Sequence, residues 1–307
     1  MHKIRIATRG SKLALWQAKF IAQKLEEKHP GLQTELIVIK TKGDKILDVP
    51  LAQVGGKGLF VKEIEEALLA DQADIAVHSM KDVPAVLPKG LKIGIFPERE
   101  DRIDLLLSET YADLKSLPKG AKVGTSSLRR RAQLLALRPD LQILPLRGNL
   151  DTRVNKLKQG EYAAIVVAKA GMKRLGLRTR YQFDLAPPLF VPAVAQGALG
   201  IEYKEKHQDV EQALSFLDHL PTRWQVLAER GFLDRLEGGC QVPLGAYAQI
   251  EQEQIIVHGF LADPEGKTMF KAKAQGPLTQ AKEVGVDLAE KILAQGGSKI
   301  LARLYAP

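Results

Sequence analysis

The chain has 307 residues, of which 45% are hydrophobic and 26% charged, with one cysteine and a formal net charge of +9 at pH 7. This length and composition are typical of a globular protein with two or three domains. A lone cysteine excludes a fold held by intramolecular disulfides, and no apolar run is long enough to predict a membrane-spanning helix. The basic charge favours an anionic partner, which could be a nucleic acid, a membrane surface or an acidic small molecule.

Residues 1–9 alternate between polar and apolar side chains. A signal peptide needs a continuous apolar segment, and this stretch has none. We therefore expect a cytoplasmic protein that neither crosses nor binds a membrane.

Strands and helices alternate through the first two-thirds of the chain. Strands are predicted at 3–8, 33–40, 74–78, 93–96, 122–124, 141–146 and 163–168, and helices after Ser11 and at 60–70, 126–137 and 149–159. Residues 41–58 are polar and glycine-rich, which predicts a mobile loop. The alternation predicts mostly parallel sheets with helices on both faces, and ligands then bind beyond the carboxyl ends of the strands.

The pattern changes after Pro221, where one helix, three strands and a last helix predict a separate α+β domain. They are expected at 222–236, 245–250, 254–261, 268–274 and 278–294. A charged run at 98–102 and a proline-rich stretch at 187–196 predict crossings between domains. We expect hinges near 98–102 and 191–196, with few packed side chains across them.

Basic and hydroxyl side chains recur where the predicted strands lead into helices. They are Arg9 and Ser11, then Thr125, Ser126, Ser127, Arg129 and Arg130, then Arg147 and Arg153, and finally Arg174. Helix N-termini present unpaired N–H groups and the positive end of the helix dipole, so these junctions predict anion-binding sites. The alternative is ordinary helix capping and solvated helix faces, which we adopt for Arg131 because three consecutive helical residues cannot face one way.

Two further residues indicate covalent and charge-stabilising chemistry. Cys240 follows Gly238 and Gly239, which lets the sulfur lie on an open turn, although free cysteines are more often buried. Asp82 follows a buried strand, and a carboxylate among anion-binding groups suggests that a cation must also be stabilised. The alternative for Asp82 is a turn-forming residue before Val83 and Pro84.

Other chemistries lack their motifs. The chain has no phosphate-binding loop of the Walker type, and its six histidines show no metal-ligand spacing with the single cysteine. We therefore expect no metal centre.

These motifs together resemble the porphobilinogen deaminase family, whose members are also called hydroxymethylbilane synthases. The resemblance covers nearly the whole chain and lies in seven segments. They are residues 7–11 (ATRGS), 54–60 (VGGKGLF), 76–84 (AVHSMKDVP), 124–130 (GTSSLRR), 146–149 (LRGN), 192–197 (PAVAQG) and 237–243 (EGGCQVP).

The resemblance implies an α/β fold of two periplasmic-binding-protein-like βα lobes with a double crossover, plus a small α+β C-terminal domain. Domain 1 would comprise residues 1–98 and 197–215 and carry the catalytic aspartate and the mobile loop. Domain 2 would comprise residues 102–191 and bind carboxylates, and domain 3 would comprise residues 220–307 and carry the cysteine loop.

The resemblance also implies an activity. The family is a transferase of porphyrin, or heme, biosynthesis that joins four porphobilinogens head to tail with loss of ammonia. The chain grows on a dipyrromethane cofactor, which would be bound to Cys240 through a thioether, and water then releases the linear hydroxymethylbilane. We expect a monomer with porphobilinogen as its small-molecule substrate and no nucleic-acid partner.

Site residues follow from the resemblance position by position. Asp82 would be catalytic by stabilising a cation, and each pyrrole ring carries an acetate and a propionate for basic residues to bind. The cofactor-binding residues would be Cys240, Lys81, Asp82, Thr125, Ser127, Arg129 and Arg130. The substrate-binding residues would be Arg9, Ser11, Ser79, Ser126, Arg147, Arg153 and Arg174. The chain departs from the family pattern at Gln53, Lys169 and Ala195.

A two-lobed oxyanion- or solute-binding protein without catalysis is the alternative. It explains the arginine and serine junctions but leaves Asp82 and Cys240 without a role. A nucleic-acid-binding protein explains the charge, but the chain has no recognition motif and only 6% aromatic residues.

Overall fold

The computed structural model describes residues 2–45, 61–84, 86–237 and 242–305. The chain divides into two compact units. Of the described residues, the first unit comprises 2–45, 61–84, 86–100 and 197–223, and the second comprises 101–196, 224–237 and 242–305. The described chain therefore passes between the units at 100–101, within the predicted crossing at 98–102, at 196–197, at the end of the predicted crossing at 187–196, and again at 223–224.

A five-stranded sheet forms the centre of the first unit, in the order β2-β1-β3-β10-β4. Its strands are β1 (Lys3–Arg9), β2 (Gln33–Ile39), β3 (Ile75–Ser79), β4 (Leu91–Ile95) and β10 (Leu199–Lys204). The first three are parallel, with Ile6 paired to Ile75, whereas β10 is antiparallel to both of its neighbours. Its helices are α1 (Lys12–Lys28), α2 (Lys42–Lys45), α3 (Lys62–Leu69) and α7 (Gln208–Leu214).

The second unit contains a sheet of the same design, in the order β7-β6-β8-β5-β9. Its strands are β5 (Asp104–Ser108), β6 (Lys122–Gly124), β7 (Gln142–Leu144), β8 (Ala164–Ala168) and β9 (Tyr181–Leu185). Its helices are α4 (Leu128–Leu137), α5 (Leu150–Lys158) and α6 (Lys169–Leu175). Here β6, β7 and β8 are parallel and β5 is antiparallel.

Helices cover both faces of each sheet, as predicted. Alternate residues of β5 enter different cores, because successive strand side chains point to opposite faces. Leu106 packs with Leu134 of α4, whereas Leu105 and Leu107 pack with Val154 of α5.

The C-terminal part of the second unit is a small α+β domain. Its antiparallel sheet has the order β11-β12-β13, from Leu244–Glu251, Gln254–Ala262 and Met269–Pro277. Helix α8 (Leu220–Arg235) precedes the sheet, and α9 (Ala281–Ile292) and α10 (Ser298–Tyr305) follow it. The fold is thus two βα lobes with this added α+β domain, in agreement with the two lobes and small C-terminal domain that the sequence resemblance implies.

The expectation of mostly parallel sheets is confirmed, with one antiparallel strand in each lobe. Each antiparallel strand, β5 or β10, enters its sheet directly after the chain has crossed from the other unit. Short apolar runs such as 104–108 do not by themselves reveal strand direction or even strand formation. The pairing is decided by residues far apart in the chain.

The crossing segments are more tightly packed than expected for hinges. Val191, Val194, Ala195 and Gln196 are all buried. The Ala195 amide donates to the buried carboxylate of Glu229 at 2.6 Å. The expectation of few packed side chains is therefore wrong for the part of the crossing that lies in the second unit.

Asp104 is the centre of a buried ion cluster in the second unit. Its carboxylate is fully buried and lies 2.8 Å from the Arg129 guanidinium and 2.7 Å from that of Arg130. Gln196 donates to the same carboxylate at 3.0 Å and to the Arg102 carbonyl at 2.8 Å. Burial alone raises the pKa of Asp104, but the two guanidinium charges outweigh burial and hold the pKa well below its usual range.

We expect Asp104→Asn to lower the free energy of unfolding by about 3–5 kcal/mol, because it leaves two buried guanidinium groups without their counter-charge. Denaturant unfolding monitored by circular dichroism measures the change. The matched control is Asp184→Asn, since Asp184 is largely exposed and binds Lys169 at the surface. That control should cost at most about 1 kcal/mol.

The Asp104 carboxylate also makes the stability of the protein depend on pH. Its folded pKa lies below its unfolded value, so its stabilisation is complete above about pH 4 and is lost as the pH falls further. The wild type should therefore lose more stability than Asp104→Asn between about pH 4 and pH 2. Parallel pH profiles for the two proteins would contradict this account of the cluster.

Candidate functional site

Four of the predicted site residues line one pocket in the first unit. They are Arg9, Ser11, Ser79 and Asp82. Because β1 and β3 are parallel, the residues that follow them lie at the same edge of the sheet. Apolar side chains of Leu13, Val61 and Ile64 complete much of the wall.

The two serines of this pocket are held by the protein itself. Ser11 caps α1, and its hydroxyl accepts a hydrogen bond from the Ala14 amide at 3.3 Å. The Ser79 hydroxyl accepts from the Gln17 side-chain amide at 2.8 Å. Each hydroxyl keeps its proton for donation, so both can bind an acceptor such as a carboxylate.

Asp82 ends a short 3₁₀ helix, Met80–Asp82, that continues directly from β3. The Met80 amide donates to the Ala198 carbonyl at 3.1 Å, which ties the start of this turn to the chain entering β10. Lys81 and Asp82 are both exposed. An accessible carboxylate beside Arg9 can accept N–H groups or stabilise a cation on a ligand that also carries carboxylates.

The second set of predicted residues lies at the carboxyl edge of the second lobe. The three hydroxyl residues after β6 are engaged locally. Thr125 accepts from the Ser127 amide at 3.2 Å, Ser126 donates to the Leu146 carbonyl at 3.0 Å, and Ser127 caps α4. These bonds hold the loop that precedes α4 against the end of β7.

Arg129 and Arg130 are buried rather than open to solvent. Arg129 donates to the Val191 carbonyl at 2.7 Å as well as binding Asp104. Arg130 uses its Nε and Nη2 atoms on Asp104 and its Nη1 on the Val166 carbonyl at 2.9 Å. Both arginines therefore have a structural role. Ligand binding by either residue stays a prediction, and it would use the guanidinium N–H groups that do not bind Asp104 or the backbone.

The other arginines are more accessible. Arg147 and Arg153 are half-buried, and Arg153 donates from Nε to the Gly148 carbonyl at 2.7 Å. Arg174 lies in the last turn of α6, because that helix begins at Lys169. The expectation that Arg174 marks a helix N-terminus is wrong. Arg131 is 41% exposed and lies 3.7 Å from Glu265, which agrees with a solvent-facing position.

The sequence of the chain matches two family models. Residues 4–212 match the model described as the dipyromethane cofactor binding domain of porphobilinogen deaminase, and residues 224–294 match its C-terminal domain. The porphobilinogen deaminase of Maridesulfovibrio salexigens is 59% identical over 99% of both chains. That of Nitratidesulfovibrio vulgaris is 57% identical over 100% of this chain and 98% of its own.

The chain belongs to the porphobilinogen deaminase family. This membership supports the tetrapyrrole-forming transferase and not the solute-binding alternative. The periplasmic aliphatic sulphonate binding protein SsuA from Escherichia coli resembles the fold with a TM-score of 0.41 and 16% identity. That likeness covers 78% of this chain and 72% of the other, and it concerns the fold only.

Two landmarks of the porphobilinogen deaminase family fall outside the residues that the structure describes. They are Cys240 with its two glycines, and the glycine-rich segment 54–60, which follows Gln53. Helix α8 ends at Arg235, just before the cysteine loop, and strand β11 begins at Leu244, just after it. Attachment of the cofactor to Cys240 stays a prediction.

The donor groups of the described residues fit a cofactor and substrate of this family. Pyrrole rings that carry acetate and propionate need cationic and hydroxyl donors, which Arg9, Ser11 and Ser79 provide in one pocket. Ring N–H groups need an acceptor, and the accessible Asp82 carboxylate is one. Within the described part of the chain, no group of His, Cys, Asp or Glu could hold a metal ion, and no helix could span a membrane.

Sequence reasoning missed the buried polar residues that support the pocket. Gln17 and Glu202 are almost fully buried, and Gln17 binds the hydroxyl of Ser79. His78 and Glu65 are also buried. The sequence offers one signal for such residues, which is a polar side chain on the apolar face of a helix or strand. A polar group buried at such a position usually has a hydrogen-bond partner, so it predicts a buried polar contact.

We expect Arg147→Ala to lower kcat/KM at least about tenfold, because a charge-assisted bond to a substrate carboxylate is lost. Steady-state kinetics with porphobilinogen measure the effect. Arg131→Ala is the matched control, since the Arg131 side chain is 41% exposed and its guanidinium lies 3.7 Å from Glu265. Equal losses in the two variants would show that the carboxylate-binding face of the lobe has been misassigned.

Proposed function

We propose that the protein is hydroxymethylbilane synthase, a cytoplasmic and monomeric transferase of heme biosynthesis. It joins four porphobilinogens head to tail, releasing ammonia each time, and then releases the linear tetrapyrrole by hydrolysis. The observation that carries this proposal is the pocket in which the exposed Asp82 carboxylate lies with Arg9, Ser11 and Ser79. Membership of the porphobilinogen deaminase family supplies the substrate class.

Asp82 has an electrostatic role in this proposal. Loss of ammonia from porphobilinogen leaves a cationic pyrrole, and a nearby carboxylate stabilises that charge more than it stabilises the neutral ground state. The short 3₁₀ helix after β3 holds Asp82 at the sheet edge, so little reorganisation is needed when the charge develops.

The basic residues bind the acetate and propionate groups of the rings. Arg9 supplies a guanidinium in the same pocket as Asp82, and Ser11 and Ser79 supply hydroxyl donors. In the second unit, Arg147, Arg153 and Arg174 bind substrate carboxylates. Ser126 joins them only when its hydroxyl proton turns from the Leu146 carbonyl to the substrate. Guanidinium forks suit this task because they pair with carboxylates in a bidentate manner.

The cofactor is dipyrromethane, attached to Cys240, and when bound it supplies the ring carbon from which the product chain grows. Asp82, Lys81, Thr125 and Ser127 contribute polar contacts to it. Arg129 and Arg130 contribute through the N–H groups that Asp104 and the backbone do not use. We also propose the three-domain division expected from the sequence, with the cysteine loop in domain 3.

Replacing Asp82 tests the electrostatic role. Asp82→Asn keeps the size of the side chain but removes its charge, so kcat should fall at least about a hundredfold while KM changes little. Asp209→Asn is the control, because Asp209 is exposed on α7 of the same unit. A variant with normal kcat and only a raised KM would place Asp82 in binding rather than in charge stabilisation.

Replacing Cys240 tests the cofactor. The purified wild type should carry a covalent mass increment of two pyrrole units, and Cys240→Ser should fold but lack that increment and nearly all activity. Intact-mass spectrometry and circular dichroism measure both properties. If the wild type has only the mass of its polypeptide, a covalently primed synthase is the wrong function for this chain.

A further inference from the structure

The turn that carries Asp82 lies beside the start of strand β10. Residues 80–83, which we call the Asp82 turn, follow β3 directly, and β10 runs antiparallel to β3. The first residues of β10 are therefore the neighbours of the end of β3. The Met80 amide donates to the carbonyl of Ala198, just before β10, at 3.1 Å. This strand is thus in a position to hold the turn.

Buried residues anchor the Asp82 turn at both ends. Met80 and Val83 are almost fully buried, whereas Lys81 and Asp82 between them are exposed. The Val83 amide donates to the Met80 carbonyl at 3.3 Å, which closes the turn. The Met80 side chain is therefore an apolar anchor that fixes the backbone next to the exposed Asp82 carboxylate.

Gly200 of β10 leaves the space that Met80 occupies. A Cβ atom added to Gly200 would overlap the sulfur of Met80 and would lie 3.1 Å from its Cγ atom. The same Cβ would lie 2.8 Å from Cγ2 of Ile93 on β4. Any side chain at Gly200 must therefore displace its neighbours, because real Cβ atoms do not approach other heavy atoms so closely. The space for the Met80 side chain is provided by β10.

Glu202 makes a second contact, two residues further along β10. Its Oε2 atom lies 2.8 Å from Nε2 of His78, and both side chains are almost fully buried. Because Gly200 is paired with His78, Glu202 lies on the same face of the sheet as His78. His78 directly precedes Ser79 and lines the pocket that contains Asp82. This hydrogen bond therefore holds the last part of β3 to β10, and losing one partner would leave the other buried and unsatisfied.

We propose that β10 positions Asp82 for the reaction through two contacts. The first is the space beside Gly200 that receives Met80, and the second is the hydrogen bond between Glu202 and His78. Gly200 and Glu202 are positioning residues, because they act through the Asp82 turn and the end of β3 and not on the substrate. The proposal rests on the proposed synthase activity for its kinetic readout, and hydrogen exchange supplies a readout that needs no activity.

Gly200→Ala tests the first contact. The added methyl group should displace Met80 and with it the Asp82 turn. We expect kcat to fall at least about tenfold while KM changes little, because a displacement of about 1 Å at a catalytic group is enough for such a loss. Amide exchange of the holoenzyme, measured by mass spectrometry on peptides that cover residues 78–84, should become at least about tenfold faster.

Two comparisons separate this contact from a general loss of stability. Gly276→Ala is the matched control, because a Cβ there would lie 2.7 Å from Cγ2 of Val284 in the C-terminal domain. It should change neither kcat nor the exchange of residues 78–84. In a Met80→Ala background the methyl group meets no sulfur, so Gly200→Ala should lower kcat far less than it does in the wild type. Equal losses in both backgrounds would contradict the contact with Met80.

Two substitutions of Glu202 test the second contact. Glu202→Gln keeps a group that can bond to Nε2 of His78 in either tautomer, so kcat and the exchange of residues 78–84 should stay near the wild-type values. Glu202→Met has a similar size but no strong hydrogen-bonding group. It should therefore speed the exchange of residues 78–84 and lower kcat at least about tenfold, again with little change in KM.

The outcomes separate this proposal from the proposed function. If the wild type turns over no porphobilinogen but the exchange of residues 78–84 responds as stated, the synthase assignment fails and the positioning of the Asp82 turn by β10 stands. If circular dichroism shows that Gly200→Ala does not fold, the two Glu202 variants decide. If the exchange in the folded variants stays as in the wild type, or if it rises while kcat is unchanged, the proposal is overturned.

Discussion

The ion cluster around Asp104 is the interaction on which the second unit depends. Asp104 begins β5, the strand that enters the sheet directly after the chain crosses from the first unit, and it receives Arg129 and Arg130 from α4. Gln196, at the return crossing, binds the same carboxylate. Both crossings are thereby tied to one buried charge. Such a cluster stabilises the fold only while every partner is present, because each unpaired charge would carry its full desolvation cost.

That cluster changes how the arginine-rich segment is interpreted. Three consecutive arginines at the start of a helix suggest an open anion site, yet two of them neutralise a buried aspartate and only Arg131 faces solvent. The carboxylate binding that we propose for this lobe therefore depends more on Arg147, Arg153 and Arg174, which are more accessible. The helix N-terminus remains available as a source of positive potential, because Ser127 caps it with a neutral hydroxyl.

The first unit uses buried polar groups for a different purpose. The proposed catalytic residue, Asp82, lies on the turn after β3, and buried polar groups support the strand that leads into this turn. Gln17 holds the Ser79 hydroxyl, and the His78–Glu202 pair holds the end of the strand. Hydrophobic residues of similar size would pack at lower electrostatic cost. Polar groups in this position instead fix the orientation of the strand end and of the Ser79 hydroxyl.

The sequence by itself determined the family, the alternation of strands and helices, and the meeting of Arg9, Ser11, Ser79 and Asp82 at one edge of a sheet. Those features follow from local patterns, and the carboxyl ends of parallel strands share an edge. Only the tertiary structure decided that β5 and β10 run antiparallel, that Asp104 captures Arg129 and Arg130, and that His78 pairs with Glu202. Each of these features depends on contacts between segments that are far apart in the chain. A local sequence pattern does not tell how close two such segments come or in which direction they run.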